Sequence, residues 1–224
     1  MATATVNSSG RGSIRTGAHA AWYDTRWATS GLVQTTTVSS QIDVGNRVII
    51  ARAGNQYYLG RTYYWYDTSA YAGSITGITL NFFTGNNNGI GDIVVCESFA
   101  FANATTTVLA STDFEIEAKW DPANTLCSPV PFSANTGMSF ALNANAVTLA
   151  NTGALNLVIV EKDHDLDDVS PGTSSYWGSI TVGSASSITV TYNAWGHDIN
   201  WVANSDIAQV NNVNLANITT VNNS

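Results

Sequence analysis

One nine-residue stretch constrains the fold more than any other: Arg61-Thr62-Tyr63-Tyr64-Trp65-Tyr66-Asp67-Thr68-Ser69. It is the densest aromatic run in the chain. Read as a strand, it carries Thr62, Tyr64 and Tyr66 on one face and Arg61, Tyr63 and Trp65 on the other. Asp67-Thr68-Ser69 ends it, because these side chains can bond back to the local backbone. Gly60 just before it marks a bulge or a close backbone approach. An arginine on such a strand needs a carboxylate partner once buried, since an unpaired buried charge is costly. Asp67 and Asp113 are the candidates. We therefore expect a core strand whose structural motif is Arg61, Asp67 and Asp113.

The flanking sequence supplies further strands. Thr35–Ser39 is β-branched, and the unbroken apolar run in Asn46–Ala51 suggests burial on both faces. Ser74–Phe83 alternates, Asp92–Ala100 is apolar, and Phe114 opens a strand with Glu115 and Glu117. Met138–Leu142, Val147–Leu149, Leu155–Val160 and Ser187–Tyr192 follow. No amphipathic helix of useful length is evident. About a dozen short strands with turn signals between them predict an all-β fold, an antiparallel two-sheet jelly-roll β-sandwich. The expected organisation is an N-terminal arm over 1–20, the sandwich over 21–192, and an extension over 193–224. That extension repeats every eleven residues, with Asn200, Asn211 and Asn222 in register. Asn and Val are poor helix formers, so Val210-Asn211-Asn212-Val213 reads as a strand-turn-strand corner.

Charge narrows the function classes. Only 11% of residues are charged and the net charge is −8. Nucleic-acid binding needs clustered Lys and Arg, so neither nucleic acid nor an anionic membrane is an expected partner. The first ten residues have neither a basic region nor an apolar core, so no export signal is expected there. Cys96 and Cys127 could pair, but two cysteines are too few for a disulfide framework. Cys96 reads as a core strand residue.

Few residues are arranged for chemistry. Asp163, Asp165, Asp167 and Asp168 form the one acidic cluster, after an apolar strand. Closely spaced carboxylates can hold calcium; the same cluster can equally be a solvated turn. Calcium is the only cofactor this suggests. His19, His164 and His197 have no zinc-ligand spacing. Asp113, Glu115 and Glu117 do not form a recognisable pair facing each other across a cleft, and no Gly-x-Ser-x-Gly elbow is present. No enzyme activity is expected. Trp22, Trp27, Tyr176 and Trp177 could stack on sugar rings or simply pack; Trp195 and Trp201, beside the repeats, suit an interface.

The run Arg61–Ser69 followed by Ser74-Ile75-Thr76-Gly77-Ile78-Thr79-Leu80 resembles the core of DNRLRE-like modules, jelly-roll domains of carbohydrate-binding type found in secreted proteins and phage particles. Asp113-Phe114, Leu155–Asp163 and Ile188–Tyr192 are similar to further elements of that family. Arg26-Trp27-Ala28-Thr29-Ser30-Gly31 resembles an Arg-x-Ala-Thr-Ser-Gly element of phage-borne members. The tail is similar to the Ile-x-x-Val-Asn-Gly-Val repeats ending phage structural proteins, with Asn212 and Asn223 in place of the usual Gly. The resemblance spans roughly 20–224 and implies a virion surface protein of a tailed phage, a capsid decoration or a fibre/tail component. A virion protein made in the host cytoplasm would also reconcile an extracellular-looking composition with the missing export signal. Its expected partners are copies of itself, a trimer above all, and other virion proteins; host glycans are the partners of the alternative reading, an adhesion module.

Overall fold

A computed structural model of the chain describes residues 1–34, 41–100, 109–114, 124–181 and 186–193, and the backbone of 209–210 and 213–214. The expected strands at 35–39 and 115–118 lie outside the described residues, as do Glu115, Glu117, Trp195, His197, Trp201 and most of the tail.

The chain is all-β. The strands of the body are β1 (Ala2–Asn7), β2 (Gly10–Arg15), β3 (Leu32–Gln34), β4 (Gln41–Ala51), β5 (Gly54–Asp67), β6 (Ile75–Asn88), β7 (Asp92–Glu97), β8 (Val130–Pro131), β9 (Gly137–Ala141), β10 (Ala154–Glu161), β11 (Tyr176–Thr181) and β12 (Ser187–Tyr192). Among the described residues these twelve hydrogen-bond into one antiparallel sheet, in the order β1-β12-β6-β11-β4-β5-β10-β7-β8, with β2, β3 and β9 as branches. Pairing is thus continuous rather than divided between two sheets. Long strands make this possible by exchanging neighbours along their length.

β5 is the clearest case. One edge is taken by β2, from Gly10↔Trp65 to Arg15↔Gly60, and then by the bridge His19↔Tyr57. The other edge is shared: β4 pairs with it from Gly54 to Gly60, and β10 from Thr62 to Asp67. Arg61 is the residue at the changeover. Downstream of it both faces of β5 are buried, with Tyr63 and Tyr66 at 0% exposure. This is the core strand that its aromatic alternation predicts.

Several expectations are corrected. Residues 1–20 are not an arm: β1 pairs along β12 and β2 along β5. The alternating Ala and Thr of β1 are a strand pattern written in small residues. Ile49 and Ile50 are exposed, because β4 beyond Asn46 has lost β11 as a neighbour and projects with the start of β5 as a hairpin. Val147–Leu149 belong to helix α2 (Ala144–Ala150), not to a strand. The Asn143 side chain caps it by accepting from the N–H groups of Asn145 and Ala146, a strongly favoured N-cap. The fully buried Ala146 and Ala150 let α2 lie close on β6 and β10. In the tail, Val210 pairs with Val213 between two short antiparallel strands, β13 (Gln209–Val210) and β14 (Val213–Asn214), while the expected corner at 211–212 lies outside the described residues. Cys96 and Cys127 are both buried and free.

Candidate functional site

The changeover at Arg61 leaves a gap between β4 and β10, and the acidic loop fills it. β10 ends at Glu161 and the chain winds into a π-helical turn, Lys162–Leu166. Glu161 is buried and acts as the hub of this turn. Its Oε1 accepts the N–H of Asp163 at 3.0 Å; its Oε2 accepts those of His164 at 2.7 Å and Asp165 at 3.2 Å. His164 Nδ1 lies 3.2 Å from the same Oε2. Burial pushes the Glu161 carboxyl up, and the backbone N–H groups partly oppose that shift.

The turn aims Asp165 inward. Arg61 Nε donates to Asp165 Oδ2 at 2.8 Å and Nη2 donates to Oδ1 at 2.6 Å. This two-pronged geometry is the strongest that arginine and carboxylate can make. Both side chains are essentially inaccessible, at 0% and 1%. Phe114 lies beneath the guanidinium, 4.3 Å from carbon to ring centroid. Burial alone would lower the Arg61 pKa, but Asp165 and Tyr63 together outweigh it and leave that pKa raised.

Neither expected partner of Arg61 is the real one. Asp67 accepts from the N–H and Oγ of Ser69 at 3.0 and 2.6 Å, which closes the turn after β5. These bonds hold its carboxyl below the usual range. Asp113 accepts the N–H of Ala110 in its own short turn. Nor does the loop gather its carboxylates for calcium. Asp165 faces Arg61, Asp163 and Asp167 face Lys162, and Asp168 faces Arg26. Among the described residues no group of three or more His, Cys, Asp or Glu is placed to hold a metal ion.

The same node builds a surface. Arg26 ends the short helix α1 (Trp22–Arg26). Its Nε donates to the Asp165 carbonyl at 2.6 Å and its Nη2 to the Leu166 carbonyl at 3.3 Å. The guanidinium lies 5.3 Å from the ring centroid of Trp27. Trp27 is thereby fixed on one side, with the exposed Tyr23 ring 5.6 Å away on the other. Gly17, His19, Trp27, Thr29, Ser30 and Leu32 line an open depression of about 530 Å³. Gly31 closes its floor against β2: a Cβ there would stand 2.6 Å from the Arg15 carbonyl oxygen, so only glycine fits.

The other aromatics separate clearly. Trp22 is buried, edge-on to Tyr57 at 6.2 Å, and packs. Tyr176 stacks on His164 at 4.5 Å. Trp177 is half-buried under Arg47, 5.1 Å from its ring centroid. The sequence reading gave Glu161 no role, named Arg26 only within the Arg26–Gly31 element, and gave Tyr23 no role. The first two carried a usable signal: both are ionisable residues placed against a strand end or an aromatic, with few other charges in the chain to pair with. Chemically, the depression offers an aromatic ring, two hydroxyl side chains, an imidazole and no carboxylate among its lining residues. That set suits contact with a neutral polar surface. Comparison with protein-family models and with curated proteins finds no match to either.

Proposed function

We propose that this chain is a non-enzymatic structural protein of a tailed-phage virion, a jelly-roll module displayed on the capsid or on a fibre or tail. The observation that carries the reading is how the ionisable side chains of the body are used. Arg61 and Asp165 join strands, Glu161 holds a turn, Asp67 and Asp113 close turns, and Arg26 fixes a surface helix. Each has a structural employment, in a chain with few charges to spare. The family resemblance of β5, β6 and the Arg26–Gly31 element supports the same reading, as do the tail repeats. The terminal repeats would join subunits or neighbouring virion proteins.

The test is immunogold microscopy of purified phage particles with antibody to this chain, together with light scattering of the isolated protein. Regular labelling of particles and a homo-oligomer, expected to be a trimer, support the proposal. A monomer that is missing from washed particles rules it out.

The Trp27 depression favours a second reading, an adhesion module for host-surface glycans. Trp27 and Tyr23 would provide ring stacking, and Thr29, Ser30 and His19 hydrogen bonds. A glycan array on which Trp27→Ala binds as well as the unaltered protein would remove it.

A further inference from the structure

A second surface, built on β11, β4, β5 and β2, has a different chemistry. One row of directly paired residues crosses four strands: Trp177 on β11, Gly45 on β4, Gly60 on β5 and Arg15 on β2. The two middle positions have no side chain. At Gly45 this is obligatory, since φ is +100° and a Cβ would collide with the carbonyl of Tyr176. The next paired position on the same face is Arg47 opposite Tyr58, and Ile49 follows two residues along β4. Arg15, Arg47, Ile49 and Tyr58 enclose a groove of about 250 Å³.

The two guanidiniums are held at the rings. Arg15 lies 5.8 Å from the Tyr58 centroid and Arg47 lies 5.1 Å from that of Trp177. Among the described residues neither arginine has a carboxylate within ion-pair distance. Yet the chain has 16 acidic residues against 8 basic ones. Two cations without acidic partners on one small groove are therefore the reverse of what composition alone would place there.

We infer that this groove binds a carboxylated sugar residue of uronate type. The arginine forks would take the carboxylate, which guanidinium matches in planar, two-pronged geometry. The C–H face of the pyranose ring would pack against Tyr58 and Ile49, while Trp177 backs the Arg47 guanidinium. The volume is below that of a drug-sized pocket and suits one ring. The inference stands apart from the virion and Trp27 readings and depends on neither.

The experiment is titration calorimetry of the full chain at low salt with an oligosaccharide of glucuronate, a glucose oligosaccharide of equal length, sodium sulfate, and an acidic peptide. The glucuronate oligosaccharide should bind, and weaken as salt is added. Arg47→Ala and Arg15→Ala should each weaken it by about tenfold or more, with unchanged thermal melting because both side chains reach solvent. Arg47→Lys should fail to restore full affinity, since a point charge lacks the fork. Trp27→Ala should bind glucuronate normally. The inference is overturned if the neutral oligosaccharide binds as well, if sulfate or the peptide binds as tightly as the sugar, if the arginine variants retain full affinity, or if nothing binds.

Discussion

Arg61 and Asp165 stand 104 residues apart in sequence and meet through two hydrogen bonds of 2.8 and 2.6 Å at the point where β5 exchanges β4 for β10 as its neighbour. A strand that changes partners leaves backbone and space between the departing and arriving strands. Here the loop after β10 enters that space and neutralises the charge that faces it. The pair is therefore a joint between three segments, β5, β10 and the π-helical turn, and through Arg26 it also holds the helix that presents Trp27.

Removing one member of this pair should be far worse than removing both. Arg61→Ala leaves a buried carboxylate, and Asp165→Asn leaves a buried guanidinium short of its countercharge. Breaking a buried pair costs about 3–5 kcal/mol. A double variant with apolar residues of similar volume, Arg61→Met with Asp165→Leu, should recover most of that loss. Urea denaturation of the single and double variants measures it. Additive losses in the double variant would mean that the two residues contribute independently.

The buried acids predict sensitivity to base. Burial raises the Cys96 thiol from 9.0 to about 12, raises Cys127, and lifts Tyr64 and Tyr66 above their ordinary 10.0. The native state thus keeps protons that the unfolded chain releases. Stability from these groups is fully present below their unfolded pKa and is lost as pH rises through the native one. The melting temperature should hold up to about pH 9 and fall steadily from there towards pH 12. Tyrosine absorbance should show part of the phenols ionising only as the fold is lost. A flat melting profile across that range would contradict the burial of these four groups.

The thiols give a simpler check. Cys96 and Cys127 are free and buried, and the Cys127 sulfur accepts the Val95 N–H at 3.4 Å. Raised pKa and burial both suppress thiolate attack. A colorimetric thiol reagent at neutral pH should react with neither cysteine in the native protein and with both in denaturant. Rapid reaction of one thiol in the native protein would show that its strand or loop opens readily.

How far the sequence reaches depends on the range of the interaction. β5 was legible because strand periodicity is local and four successive aromatics leave little choice of environment. The turn at Asp67 was legible for the same reason, including the side-chain bond back to the backbone that closes it. Asp67 and Asp113 were plausible partners of Arg61 on grounds of type alone; which carboxylate arrives is decided by the topology that brings the end of β10 to β5. Asp163, Asp165 and Asp167 alternate along the sequence and so suggest one ligand face. A π-helical turn instead fans such side chains in different directions: Asp165 turns inward to Arg61, while Asp163 and Asp167 share Lys162. α2 was hidden by the β-branched Val147 and Thr148, although Asn143 and three alanines were available as signals. Trp27 was legible as a stacking candidate, but the open depression beside it was not, because its lining is brought together from two segments, 17–19 and 27–32.

Glu161 provides the sharpest test of how this joint is held. Its carboxylate accepts three backbone N–H groups of the turn, and the third belongs to Asp165 itself. Glu161→Gln keeps the shape but replaces one oxygen with an amide that cannot accept. At least one N–H of the turn then loses its partner, at a cost of up to about 1–3 kcal/mol where that group is buried. If Glu161 positions Asp165, the change should also weaken the coupling between Arg61 and Asp165. Double-mutant cycles on that pair, run with Glu161 and with Gln at this position, separate the two effects. We expect lower stability together with a smaller coupling energy. Lower stability with an unaltered coupling energy would reduce Glu161 to a local cap of the turn, and Asp165 would then owe its placement to the guanidinium alone.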